Sequence, residues 1–298
     1  MFALIRNPYL VLGLVALIWA GNAIAGKLAA GHVSPMLLTA LRWLVAVVVI
    51  LPFAAPDVRR EWPLLRRHLL QLFCLSAVGF AGFNALFYLA LNYTSAINVT
   101  ITQSAMPLLV FLGNLLLFRV GFSLAQLLGF SLTLLGVLVT VSHGQWQTLM
   151  GLQLNRGDAL MLLAVTLYAG YTLALRYKPA LHWRTTILTL AVSALLTSIP
   201  FALLEYANGD TVLPHWRGLA VVVYVGIFPS LFAQSLYIRG VEMIGANRAN
   251  LFINLVPVFG AVLAVTILGE ALHAYHVVAL LMVLGGIYLA ERGARAKA

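Results

Sequence analysis

The amino-acid sequence predicts an all-α membrane protein of ten transmembrane helices, built as an inverted repeat of two five-helix halves. Three observations carry this prediction. Charged residues are 9% of the chain and apolar ones 62%, whereas a soluble domain carries about 25% charged residues, so a soluble fold of this size could not hide its apolar surface. Stretches of the roughly 20 apolar residues needed to cross a hydrocarbon core recur along the whole length between short polar breaks. The chain also aligns with itself: an offset of 150 brings Leu86, Ala96, Pro107, Leu134 and Gly136 onto Leu236, Ala246, Pro257, Leu284 and Gly286. At an offset of 149, Gly21 meets Gly170 and Lys27 meets Arg176.

The first helix is expected over 8–26. Arg6, the run YLVLGLVALIWAG and the AIA at 23–25 imitate a cleavable signal peptide, but the repeat pairs this segment with 158–177 and so argues for a retained helix. The second, 35–55, opens on Pro35 and holds Arg42 about two turns in, a depth from which the side chain is expected to snorkel outward; binding a solute carboxylate is its alternative role. The third, 69–91, contains Cys74, the single cysteine, which excludes a disulfide framework within one chain and reads as a small buried residue. The fourth, 95–118, and the ninth, 246–268, carry matched polar faces and central prolines. The segments 122–142, 158–177, 185–205, 217–239 and 272–291 complete the set. Trp62, Trp146, Trp183 and Trp216 fall near helix ends and are assigned to the membrane interfaces. The longest connections, 56–68, 143–157 and 206–216, are too short for a soluble domain, so function must lie among the helices.

Division at 145/146 gives the halves 1–145 and 146–298, and an odd number of spans inverts the second relative to the first, a transporter signature. Of the 18 Lys and Arg residues, a cytoplasmic N-terminus leaves only Lys27, Arg156 and Arg217 outside, which supports both termini inside. A net charge of +10 therefore marks topology, not nucleic-acid binding.

On a helix, Asn247, Asn250, Asn254 and Pro257 share one arc, as do Thr100, Gln103, Ser104 and Pro107. Lipid cannot satisfy amides, so both faces are expected to point inward, as helix glue or as the wall of a cavity. Pro107 and Pro257 leave carbonyls without partners and are candidate hinges or gates. Trp19 and Asn22 in WAGN, Tyr168 and Tyr171 in YAGY, Phe83 and Tyr88 in the third helix, and Gln234 and Tyr237 in the eighth are further inward candidates. Apart from Arg42 no ionisable group lies deep, since Asp158, Glu205, Glu242 and Glu270 sit near helix ends; this weakens a proton-coupled cation extruder and favours a small neutral or zwitterionic solute. His273 and His276 lack convergent ligands for a metal, and no enzyme or cofactor motif is present.

The segments SPMLLTALRWLVAVVVILP at 34–52, SAINVTITQSAMPLLVFL at 95–112, GANRANLFINLVPVFGAVL at 245–263 and LGEALHAYHVVALLMVLGGIYLAE at 268–291 resemble the EamA-type members of the drug/metabolite transporter superfamily, and are most similar to YddG-type exporters of aromatic and other amino acids. The resemblance implies a basket of ten helices, a central cavity, an inner-membrane location and efflux by alternating access. It places Trp19, Asn22, Tyr88, Thr100, Gln103, Tyr168, Asn250 and Asn254 at or near that cavity. One departure is that LGE at 268–270 becomes FRV at 118–120 in the first half. The expected function is a secondary transporter exporting neutral amino acids or related metabolites, with a small-molecule substrate and the lipid bilayer as partners. Carriers of sugars, nucleobases or drugs, and a non-transporting receptor or scaffold, are the alternatives. The sequence does not fix the oligomeric state, and a monomer is compatible with it.

Overall fold

The structure, a computed structural model, describes residues 7–119, 123–145, 147, 155–244, 252 and 254–295. Among these residues the fold is all-helical. Its elements are α1 (Pro8–Ala29), α2 (Pro35–Leu65), α3 (Leu69–Ala90), α4 (Ala96–Thr102), α5 (Ala105–Phe118), α6 (Leu124–Val141), α7 (Arg156–Ala174), α8 (Trp183–Ala207), α9 (Trp216–Tyr237, continuing helically to Ile244), α10 (Val256–Leu268) and α11 (Ala274–Arg295). Of these α1, α2, α3, α6, α7, α8 and α9 are long and apolar enough to cross a bilayer, while Leu108–Phe118, Val256–Leu268 and Ala274–Ala290 are shorter apolar helices.

Local signals set the starts. Asn7 caps α1 by accepting from Tyr9 N at 3.0 Å, with Pro8 at the first helical position, where its missing N–H is not needed. Ser95 caps α4 through Asn98 N at 3.0 Å, Asn155 caps α7 through Gly157 N at 2.7 Å, and Ser123 with Gln126 forms a reciprocal capping box on α6.

Three expectations are corrected. The second helix does not stop near 55 but runs to Leu65 through Pro52, Pro56 and Pro63. Its overhang is held by the start of α8: Asp57 Oδ2 lies 3.3 Å from both Arg184 Nη1 and His182 Nδ1, and Glu61 accepts from His182 N at 3.0 Å. The expected fourth helix is two pieces, α4 and α5, parted at Gln103–Ser104, because Pro107 has no N–H to offer the Gln103 carbonyl; that oxygen accepts instead from Met106 N at 3.0 Å. Cys74 is exposed rather than buried. Trp62 and Trp216 are exposed at helix ends, whereas Trp146 lies outside the described residues.

The inverted repeat is visible in contacts that occur twice. Glu61, near the end of α2, caps the start of α8; Glu205, near the end of α8, caps the start of α2, accepting from Ser34 Oγ at 2.6 Å, Leu37 N at 3.0 Å and Met36 N at 3.2 Å. Each carboxylate accepts from backbone N–H groups that the first turn of a helix leaves without an intrahelical partner, and faces the positive end of its dipole. Helices α6 and α11 run antiparallel through small residues. A Cβ added at Gly286 would fall 2.7 Å from Thr133 N and closer still to the Gly129 oxygen, and one added at Gly136 would fall 2.9 Å from the Ala279 oxygen. The offset of 150 carries Gly129 to Ala279 and Gly136 to Gly286, so these are one contact seen from both halves. Close backbone approach through small residues is how helices adhere in lipid, where no hydrophobic force draws them together.

Candidate functional site

The same symmetry assembles a polar and aromatic interior from equivalent positions. Helices α3 and α9 each contain a π-helical turn, Ala77–Gly82 and Phe228–Phe232, which adds a residue to the turn and re-aims the side chains beyond it. Two residues later come Asn84 and Gln234, related by the offset of 150. The first helices of the halves contribute Trp19 and Tyr168, related by 149. The ring of Trp19 lies 5.4 Å from that of Tyr237, and the ring of Tyr168 lies 5.0 Å from Phe83 and 5.2 Å from Tyr171. The Tyr168 hydroxyl is hydrogen-bonded to Gln234. Trp19, like Leu255 and Phe259 of the second half, packs against the buried cluster of Ala16, Ala20 and Val256. The rings of Trp19, Phe83, Tyr168 and Tyr237 are half-buried although helices surround them, whereas Tyr171 is buried.

The helix breaks supply the amides. Gln103 sits at the α4–α5 break and Asn254 in the turn just before α10, at nearly equivalent repeat positions, and both are half-buried. Pro257, the second residue of α10, is buried. Thr100 is placed differently: it is fully buried, its hydroxyl donates to the Ala96 and Ile97 carbonyls at 3.0 Å, and it packs against Gly260. Tyr171 packs over Gly79 and stands 5.5 Å from Phe80. Asn250 and the Pro107 side chain lie outside the described residues.

Arg42 is the residue whose place the sequence misjudged. It does not snorkel: only 5% of it is exposed. Nε donates to Ser230 Oγ at 2.7 Å, and Nη1 donates to Asn84 Oδ1 at 2.6 Å, to Asn22 Oδ1 at 3.2 Å and to the Tyr88 hydroxyl. Tyr88 in turn donates to Asn22 Oδ1 at 2.8 Å. Thus α1, α2, α3 and α9 meet on one cation. The guanidinium also lies 5.2 Å from the Trp43 ring centre and 5.7 Å from that of Tyr88, and Trp43 stacks on Phe80 at 5.0 Å. All these oxygen partners are neutral, and among the described residues no carboxylate pairs with Arg42.

A second polar group closes one end of the bundle. Asp158 is fully buried, not solvated as its place at a helix start suggests; it accepts from Thr94 Oγ1 at 2.7 Å and stands 3.2 Å from His143 Nε2. Asn98 joins it to His276 Nε2, 3.0 Å from Asn98 Oδ1. Glu270 accepts from Ala96 N and Ile97 N at 2.8 and 3.1 Å, and Lys27 Nζ donates to the Leu91 and Thr94 carbonyls. These bonds fasten the α3–α4 turn of the first half to α7, α10 and α11 of the second. A recess of about 410 Å³ lies among them. A crevice of about 510 Å³ between α1, α9 and α10 is almost wholly apolar, with Gly21 and Tyr224 among the residues that line it.

Comparison with known proteins adds the following. Residues 7–142 and 155–291 each match the EamA-like transporter family. The chain is 26% identical to the "Uncharacterized transporter YyaM" of Bacillus subtilis, over 89% of this chain and 87% of that protein. It is 29% identical to an "Uncharacterized transporter" of Archaeoglobus fulgidus, over 95% and 96%. A solved structure described only as a crystal structure of a protein superposes with a TM-score of 0.65 at 20% identity, covering 98% of this chain and 99% of that one, a likeness of fold.

Proposed function

Because the chain belongs to the EamA-like transporter family, and is therefore a multi-pass membrane transporter, we propose that it exports neutral amino acids, aromatic ones included, by alternating access. The observation that carries this reading is the interior built from both halves: Trp19 with Tyr168 and Asn84 with Gln234 at matched positions, and Gln103 and Asn254 at the two helix breaks, one residue out of register because the offset of 150 pairs Asn254 with Ser104. Ring faces bury an apolar side chain, and amide and hydroxyl groups satisfy the amino and carboxylate ends of a zwitterion. Discontinuous helices at the repeat interface are a common construction for a solute site in the membrane midplane. The two halves then rock about that site, with the Asp158, Asn98 and Glu270 contacts closing the outer end. The termini are cytoplasmic and the membrane is the inner one.

Among the described residues no carboxylate lies within this lining, which favours gradient-driven uniport or exchange; flux that follows an imposed pH gradient would overturn that coupling. The substrate class is tested by reconstitution into liposomes with radiolabelled Phe, Met and Thr. Saturable flux is expected, and its absence for all of them rejects amino-acid export.

A further inference from the structure

We propose that the Arg42 guanidinium anchors the carboxylate of the transported solute; this rests on the reading of the chain as an amino-acid exporter. A guanidinium carries five N–H donors in a planar fork suited to a carboxylate. In this protein Nε and Nη1 are engaged by Ser230, Asn22, Asn84 and Tyr88, while the Nη2 edge has no acceptor among the described residues. The neighbouring indole Nε1 of Trp43 is buried without a partner. Donors left open inside a bundle are costly, and so is a cation without a counter-ion.

Five acids whose side chains are described are held elsewhere. Asp57, Glu61, Glu205 and Glu270 are committed to cations or to backbone N–H groups at helix ends, and Asp158 to Thr94 and His143. A missing anion at a site where four helices have been arranged to hold the cation is an invitation to an external one. The register places it well: Asn22 is three residues beyond Trp19, Ser230 four before Gln234, and Asn84 next to Phe83. The cation therefore lies about one helical turn from the aromatic set, or ~5 Å along the axis. A carboxylate on Arg42 would leave an amino acid's side chain among the rings. The position has no basic counterpart in the second half, where the offsets of 149 and 150 reach Ala191 and Val192, so the site is polar at one end and binds its solute in one orientation.

The test uses purified full-length protein and four probes: L-phenylalanine, phenylacetate (no amine), L-phenylalaninamide (no carboxylate) and chloride. Equilibrium binding is expected for the first two, with the amide at least 10-fold weaker and chloride without effect. Arg42→Gln and Arg42→Lys should lose the preference for acid over amide. Because a variant lacking Arg42 risks misfolding, Asn22→Asp supplies the independent arm. It keeps the Oδ1 that accepts from Arg42 and sacrifices no bond of Nδ2, which has none among the described residues, while placing a carboxylate beside the cation. The thermal midpoint should hold or rise, affinity for phenylalanine should fall about 10- to 100-fold, and affinity for the amide should not change. Equal binding of acid and amide, undiminished phenylalanine binding by Asn22→Asp, or protection by chloride matching that by phenylacetate would overturn the anchor and leave amino-acid export standing. Binding of phenylacetate without transport of any neutral amino acid would sink export and retain the anchor. No binding of either carboxylate would reject both.

Discussion

Replacing Gly286 by alanine puts the inverted-repeat packing to a quantitative test. The new methyl would lie 2.7 Å from Thr133 N, with the Gly129 oxygen closer still. Ordinary contact begins at 3.4 Å, so α6 and α11 must part by at least the difference, about 0.7 Å, against backbone atoms that cannot swing aside. Overpacking of this kind costs about 1–3 kcal/mol, and the rigid obstacle puts Gly286→Ala near the top of that range. At the symmetry-related Gly136 the closest atoms stand at 2.9 Å and one belongs to the Val283 side chain, so Gly136→Ala should cost roughly 1 kcal/mol. Gly13 has nothing within 4 Å, and alanine there should be neutral or slightly stabilising through helix propensity. Unfolding midpoints of the three purified variants, followed by tryptophan fluorescence, should rank Gly286→Ala lowest, then Gly136→Ala, with Gly13→Ala at or above the parent. If Gly286→Ala matched Gly13→Ala, the α6–α11 contact described above would be wrong.

Other expected outcomes follow from single side chains. Glu205→Ala removes the acceptor of three hydrogen bonds at the start of α2 and should destabilise by about 1–3 kcal/mol, with Glu205→Gln intermediate; denaturation midpoints check this. Gln103→Leu and Asn254→Leu should lower solute flux in liposomes by roughly 10-fold each while leaving the unfolding midpoint within a few degrees, since neither amide has a side-chain bond to lose among those described. Glu270→Ala frees the first amides of α4 and should raise labelling of nearby engineered cysteines by impermeant reagents, reporting a looser closure at that end of the bundle; unchanged labelling would remove Glu270 from that role.

Some of this was legible in the sequence. Membrane burial follows from composition, and the repeat from Pro107 with Pro257 and Gly136 with Gly286, residues whose backbone chemistry fixes where a helix breaks or where two approach. The breaks beside Gln103 and Asn254 could be anticipated because Pro107 and Pro257 fall in the first turns of α5 and α10. Arg42 could not be placed. Depth along a helix says how far a charge sits from water, but its burial depends on Asn22, Asn84, Tyr88 and, 188 residues away, Ser230, which no local pattern links. The length of α2 was hidden for the same reason, since Asp57 and Glu61 hold it only once α8 lies alongside. Thr100 shares a helical arc with Gln103, yet the close packing of Gly260 occupies its side, and periodicity alone cannot distinguish a wall from a contact.

Passage of a solute between the halves at Gln103 and Asn254 can be tested directly. Each position is replaced singly by cysteine in a background where Cys74, the only native thiol, is serine, and an impermeant thiol reagent is applied from either side of sealed vesicles. Labelling from at least one side that slows when phenylalanine is added is the predicted result. Cysteines that resist the reagent from both sides, or that react at the same rate with and without phenylalanine, would contradict it.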